Sequence, residues 1–194
     1  MLKYIPTPVR FIVLLNILVY VLTLVIGVNY QIDIREYLAL QASWSKFSPL
    51  QLITYSISHN NTYTHLMYNM IFFLIYGTKV HNEYGKIPFI LMYFIFGIVG
   101  GLFFMQDHYS GTVVGASGIV SGYCAVFLLT KVEHWVFKVL KWLAALTILN
   151  NFIAIALGVE SNTAYMCHVG GIVAGLVWIG VAYIHNFLKK LKTD

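Results

Sequence analysis

The feature that most constrains this chain is a series of six long apolar runs, near residues 11–28, 63–79, 87–105, 115–130, 142–157 and 165–187. With 59% apolar and only 10% charged residues and a mean hydropathy of +0.77, the chain carries more apolar surface than a soluble core of 194 residues could hide. The solvent for that surface is lipid. A helix that crosses a bilayer needs about 20 apolar residues, so six spans with short loops use up the chain. The expected fold class is all-α, a polytopic membrane protein built as one six-transmembrane-helix bundle over 1–194, with a short buried fourth helix. The first run, Phe11 to Val28, is too long for a signal-peptide core and lacks a small-x-small cleavage site after it, so it is read as a retained span.

Charge sets the expected topology. Lys3, Arg10, Lys79, Lys86, Lys131, Lys138, Lys141, Lys189, Lys190 and Lys192 fall on one side of the six spans, and Arg35 and Lys46 on the other. Ten against two places both termini in the cytoplasm, a bias that suits a bacterial cytoplasmic membrane. The net charge of +5 does not form a basic stripe, so no nucleic-acid partner is expected; the bilayer is the partner. Cys124 and Cys167 lack paired-motif spacing and read as buried thiols, giving neither a disulfide framework nor a metal site. Oligomeric state is not set by any of these features.

Two connections stand out. The segment 29–62 is long and carries Trp44, Phe47, Leu50 and Leu52 among polar residues, which predicts a segment lying in the outer interface. In the fourth span, Ser117 to Leu129 gives only about 20 Å of helix against a hydrocarbon core of about 30 Å. Such a helix starts below the surface, and the non-helical approach Ser110-Gly111-Thr112-Val113-Val114-Gly115 then requires a watery cavity or protein around it.

With an inside N-terminus, the second, fourth and sixth spans run in the same direction, so residues early in each share the outer leaflet. His65 and Asn69 lie one turn apart on the second, Ser117 opens the fourth, and His168 comes early in the sixth. Singly, a membrane serine bonds its own helix backbone and a membrane asparagine bonds a neighbouring helix. Together, they suggest a site. Gly118 and Gly122 in the fourth span and Gly171 and Gly175 in the sixth form G-x-x-x-G pairs that allow close backbone approach, while Gly97 and Gly101 in the third read as ordinary packing. His168 shares the stripe of Gly171 and Gly175, and Ser117 directly precedes Gly118.

A serine hydroxyl attacks a carbonyl when a base takes its proton, and neutral imidazole is the natural base near pH 7. Ser117 is thus the candidate nucleophile and His168 the candidate base. The oxyanion that results needs fixed donors: the amide of Ser117 at a helix start, the Asn69 side chain and the His65 imidazole. No carboxylate lies within the spans, which predicts a dyad.

These motifs resemble the rhomboid family of intramembrane serine proteases. Gly115-Ala116-Ser117-Gly118 is similar to the family's G-x-S-G, His65 to Asn69 to its H-x-x-x-N, and His168 with Gly171 and Gly175 to its H-x-x-G-x-x-x-G, with Gly77, Glu83 and Gly85 also in place. The resemblance covers about 55–180 and implies a rhomboid-like bundle. It implies Ser117 as nucleophile, His168 as base, and an oxyanion hole of Asn69, His65 and the Ser117 amide. It further implies no cofactor or metal, substrates that are single-span membrane proteins, and cleavage near the outer membrane face. His59 lies six residues before His65 where the family has five, and takes no role. Two departures matter. Ser121 stands where an aromatic usually stacks on the histidine, so the Ser121 hydroxyl is the expected support for His168, and Leu50-Gln51 replaces a Trp-Arg pair. Asn150 and Asn151 sit mid-span in the fifth run and read as interhelical hydrogen-bonding groups, beside a gating role implied by the resemblance.

Three functions compete: an intramembrane serine endopeptidase; an inactive rhomboid-like protein that binds transmembrane clients, suggested by Ser121 and the altered first loop; and a transporter or proton relay built on His65 and His168, which the scarcity of intramembrane acids opposes.

Overall fold

The computed structural model describes residues 4–106, 111–158 and 164–191, so Lys3, Ser110 and Lys192 lie outside the described residues. Helix α1 (Thr7–Tyr30) leads into a connection holding α2 (Arg35–Leu38), the two-residue strand β1 (Leu40–Gln41), α3 (Gln51–Thr54) and a 3-10 turn (Tyr55–Ile57). Then come α4 (Tyr63–Tyr84), α5 (Lys86–Gln106), strand β2 (Thr112–Val113), α6 (Ser117–Leu129), α7 (Trp135–Ala156) and α8 (Tyr165–Leu191).

Four helices, α1, α5, α7 and α8 through His185, are long and apolar enough to cross a membrane, and the chain is an integral membrane protein. Helix α4 matches them in length but carries His65, Asn69, Lys79, His81, Asn82 and Glu83, which lower its hydropathy. Helix α6 is apolar but has only 13 residues. Apolar runs understate helix length at charged ends. Helix α7 begins at Trp135, seven residues ahead of the run at 142, because Lys138 and Lys141 interrupt hydropathy without opposing helix formation. Lys141 donates to the carbonyls of Leu128 (2.7 Å) and Thr130, satisfying orphan groups where α6 ends.

Contacts along α6 fix the direction of its neighbours. A Cβ on Gly118 would meet Cys167 Sγ at 2.7 Å, and one on Gly175 would meet the Gly122 carbonyl oxygen at 2.6 Å, so α6 and α8 run parallel in backbone contact. The rings of Phe73 and Tyr123 are 5.4 Å apart and those of Tyr76 and Phe127 5.0 Å, which sets α4 parallel to α6 as well. Helix α5 runs antiparallel: Tyr123 Oη donates to the Phe89 carbonyl (2.6 Å), while Gly97 receives Ile119 near the opposite end. The fully buried Phe73, Phe89, Phe96, Tyr123 and Phe127 fill the centre of this packing.

The connection 31–62 is anchored to the helices by buried side chains. Trp44 and Leu50 are exposed, but Leu40 and Tyr55 are fully buried, in a cluster with Phe104, Met105, Val113 and Cys167. Tyr55 Oη donates to the Gly97 carbonyl (2.8 Å). Strands β1 and β2 pair antiparallel, Leu40 with Val113 and Gln41 with Thr112. The approach to α6 is non-helical over 111–116, and this pairing satisfies part of its backbone.

Candidate active site

A cavity of about 1620 Å³ opens where α4, α6 and α8 begin, and His65, Asn69, Ser117, Ser121 and His168 all line it. Ser117 is the first residue of α6, after Ala116, whose backbone (φ −75°, ψ 0°) makes the turn into the helix without a side-chain cap. The Ser117 amide therefore lacks an intrahelical partner and can serve an incoming anion. Its neighbour Gly115 has φ +120°, and a Cβ there would lie 2.7 Å from His65 Cε1 and 3.0 Å from Nε2. Only glycine combines this backbone with that approach. The Gly115 amide donates to the Tyr55 carbonyl (2.9 Å), so the long connection holds the turn from behind.

Asn69 is buried, and its Nδ2 donates to the His65 carbonyl (2.9 Å). An amide nitrogen carries two hydrogens, so one remains for a ligand. His65 Nδ1 is buried without a hydrogen-bond partner among the described residues, and the His59 ring lies 5.2 Å from the His65 ring with both its nitrogens likewise unpartnered.

Across the cavity, a Cβ at Gly171 would overlap the Gly118 carbonyl oxygen, which brings α8 as near to α6 as backbones allow. This contact is made by the residue after Ser117 and lies about one turn below His168. Among the described residues no hydrogen bond joins Ser117 Oγ to the imidazole, and catalytic pairs are commonly looser before substrate binds. His168 Nδ1 lies 2.7 Å from Asn151 Oδ1, on α7. Tyr165 meets the His168 ring edge-on at 6.4 Å. Ser121 lines the cavity but makes no hydrogen bond to His168 among the described residues. Asn151, expected to make an interhelical hydrogen bond, finds its partner in His168, and its one signal in the sequence is a polar residue in the middle of an apolar run. Tyr55 and Cys167, which back the α6 turn, gave no signal beyond apolar character.

At the mouth, Arg35 grips Asp33 through Nε to Oδ1 (2.7 Å) and Nη2 to Oδ2 (2.6 Å), and this bond holds the Asp33 carboxyl below the usual carboxylate range. The described residues contain no group of three or more His, Cys, Asp or Glu able to hold a metal ion.

The elements that carry this site are those of a known family. Residues 46–185 match the Rhomboid domain, and the chain belongs to the rhomboid family. It is 26% identical over 186 residues to Rhomboid-like protease 3 of Toxoplasma gondii, covering 91% of this chain and 68% of that protein. It is 29% identical over 136 residues to the putative rhomboid protease YdcA of Bacillus subtilis, covering 66% of this chain and 64% of the relative. RHOMBOID-like protein 1 of Arabidopsis thaliana is 28% identical over 114 residues, but the match spans only 29% of that longer protein.

Proposed function

We propose that the chain is an intramembrane serine endopeptidase that hydrolyses peptide bonds of single-span membrane proteins near the outer membrane face. The observation that carries this reading is the shared cavity: a serine at a helix start, a histidine on the helix packed closely against it, and two donors from a third helix line one space. In this reading α4 and α6 join the four apolar helices as a six-span bundle. Both termini are cytoplasmic and the cavity opens outward, so water reaches a reaction that lipid would exclude.

Ser117 Oγ attacks the scissile carbonyl carbon as His168 takes its proton, and the carbonyl becomes an oxyanion. The Ser117 amide, Asn69 Nδ2 and His65 surround that oxygen with donors fixed before the reaction. His168 then passes the proton to the leaving amine. Water, activated by the same imidazole, releases the acyl group from Ser117. Ser117→Ala is expected to abolish cleavage of a single-span substrate in liposomes, and undiminished cleavage by that variant would contradict the reading.

A second reading, an inactive relative that binds transmembrane clients, draws on Ser121 and on the lack, among the described residues, of a Ser117–His168 hydrogen bond. A fluorophosphonate probe separates the two, since an inactive relative leaves Ser117 unlabelled.

A further inference from the structure

The residue that holds the candidate base comes from neither of the two helices that form the dyad. Asn151 is only 4% exposed, and its side-chain amide makes two hydrogen bonds. Nδ2 donates to the Thr147 carbonyl at 2.8 Å, one turn back on α7, and Oδ1 faces His168 Nδ1 at 2.7 Å on α8. The first bond decides the second. A backbone carbonyl only accepts, so the amide atom facing Thr147 is the nitrogen; the reversed amide would set two oxygens against each other. The atom facing His168 is then an oxygen, and Nδ1 must carry the imidazole proton. In the neutral ring this leaves the lone pair on Nε2.

We infer that Asn151 is a positioning residue that fixes His168 in the Nδ1–H tautomer, so that Nε2 is the atom available to take the proton of Ser117. This rests on the protease reading above and adds a residue to it. Asn151 supplies the orientation that a carboxylate gives in a Ser-His-Asp triad, without the charge. An apolar setting favours that choice, because an unpaired buried carboxylate there would be costly. Ser121 lines a cavity of about 50 Å³ together with Asn151 and Ile172, so no bulky side chain separates the amide from this face of α6.

Helix α7 makes this bond unusual. Among its described residues only Ala144, Asn151 and Ala154 are buried, so one of its few inward contacts is polar. The orientation of the base therefore depends on α7 staying docked against α8.

The test uses the full chain in liposomes, with wild type, Asn151→Leu and Asn151→Asp compared. Nitrogen NMR of histidine-labelled protein reports the His168 tautomer, with its signal assigned by loss in His168→Ala, and fluorophosphonate labelling of Ser117 reports reactivity. Wild type is expected to show a protonated Nδ1 and bare Nε2. Asn151→Leu loses that preference and labels about 10–100-fold more slowly, the range seen when a partner that orients a metal-bound histidine is removed. Asn151→Asp, kept protonated by its apolar setting, still donates to the Thr147 carbonyl and keeps an oxygen acceptor for Nδ1, and it restores both. An Asn151→Leu protein that retains the Nδ1–H tautomer and the wild-type labelling rate overturns the inference. A wild type that has the tautomer but never labels contradicts the protease reading instead.

Discussion

The seam between α6 and α8 and the seam between α7 and α8 are built on opposite terms. The first is backbone against backbone, with Gly118, Gly122, Gly171 and Gly175 interleaved so closely that no side chain fits between. The second carries the Asn151–His168 hydrogen bond, and most of α7 faces outward. Lipid tails are as apolar as leucine, so close packing holds helices together in a membrane better than apolar character does. The difference teaches where each catalytic requirement is met. In the proposed mechanism Ser117 and His168 sit on the tightly packed seam, and Asn151, the residue proposed to orient the imidazole, sits on the other one.

The largest effect expected from breaking this contrast comes from Gly171→Val. Its Cβ would coincide with the Gly118 carbonyl oxygen, and neither backbone can move without separating Ser117 from His168. The cost is expected at about 3 kcal/mol or more, seen as loss of the folded species in detergent and of all labelling. A normally folded, active variant would show that the seam is not rigid. Asn69→Ala leaves both seams intact and removes one donor, so labelling and cleavage should fall by about 10²–10³-fold with little change in thermal stability. Gly115→Ala combines a φ of +120° with a clash against His65. It is expected to cost about 1–3 kcal/mol and to slow labelling, because the donor ring is displaced.

Smaller effects sharpen the comparison within one helix. Gly180, nine residues beyond Gly171 on α8, has nothing within 4 Å of a built Cβ. Gly180→Ala should leave activity unchanged and raise stability by about 0.5–1 kcal/mol through helix propensity. Leu149→Ala, on the exposed face of α7, should change folding by less than about 0.5 kcal/mol, measured by unfolding in detergent.

Much of this arrangement was legible in the sequence because it depends on local spacing. The start of α6 at Ser117 follows from Gly115 and the apolar run behind it, and the G-x-x-x-G pairs identify the helices that touch. The i, i+4 spacing of His65 and Asn69 puts both on one face. What escaped depends on long-range pairing with no periodic signature. Two-residue strands such as Leu40–Gln41 and Thr112–Val113 are too short to show alternation. Tyr55 reads as one more aromatic in a mixed loop, although its hydroxyl reaches the Gly97 carbonyl forty-two residues away. Asn151 was visible as a polar residue in lipid, but its partner depends on how α7 is rotated, which an almost uniformly apolar helix does not encode.

The most direct test of the central claim is fluorophosphonate labelling of the wild-type protein in liposomes, with the modified residue located by peptide mapping. A single adduct is expected on Ser117, and it disappears in both Ser117→Ala and His168→Ala. A folded wild-type protein that takes no label, or one that labels Ser117 equally well without His168, would contradict it.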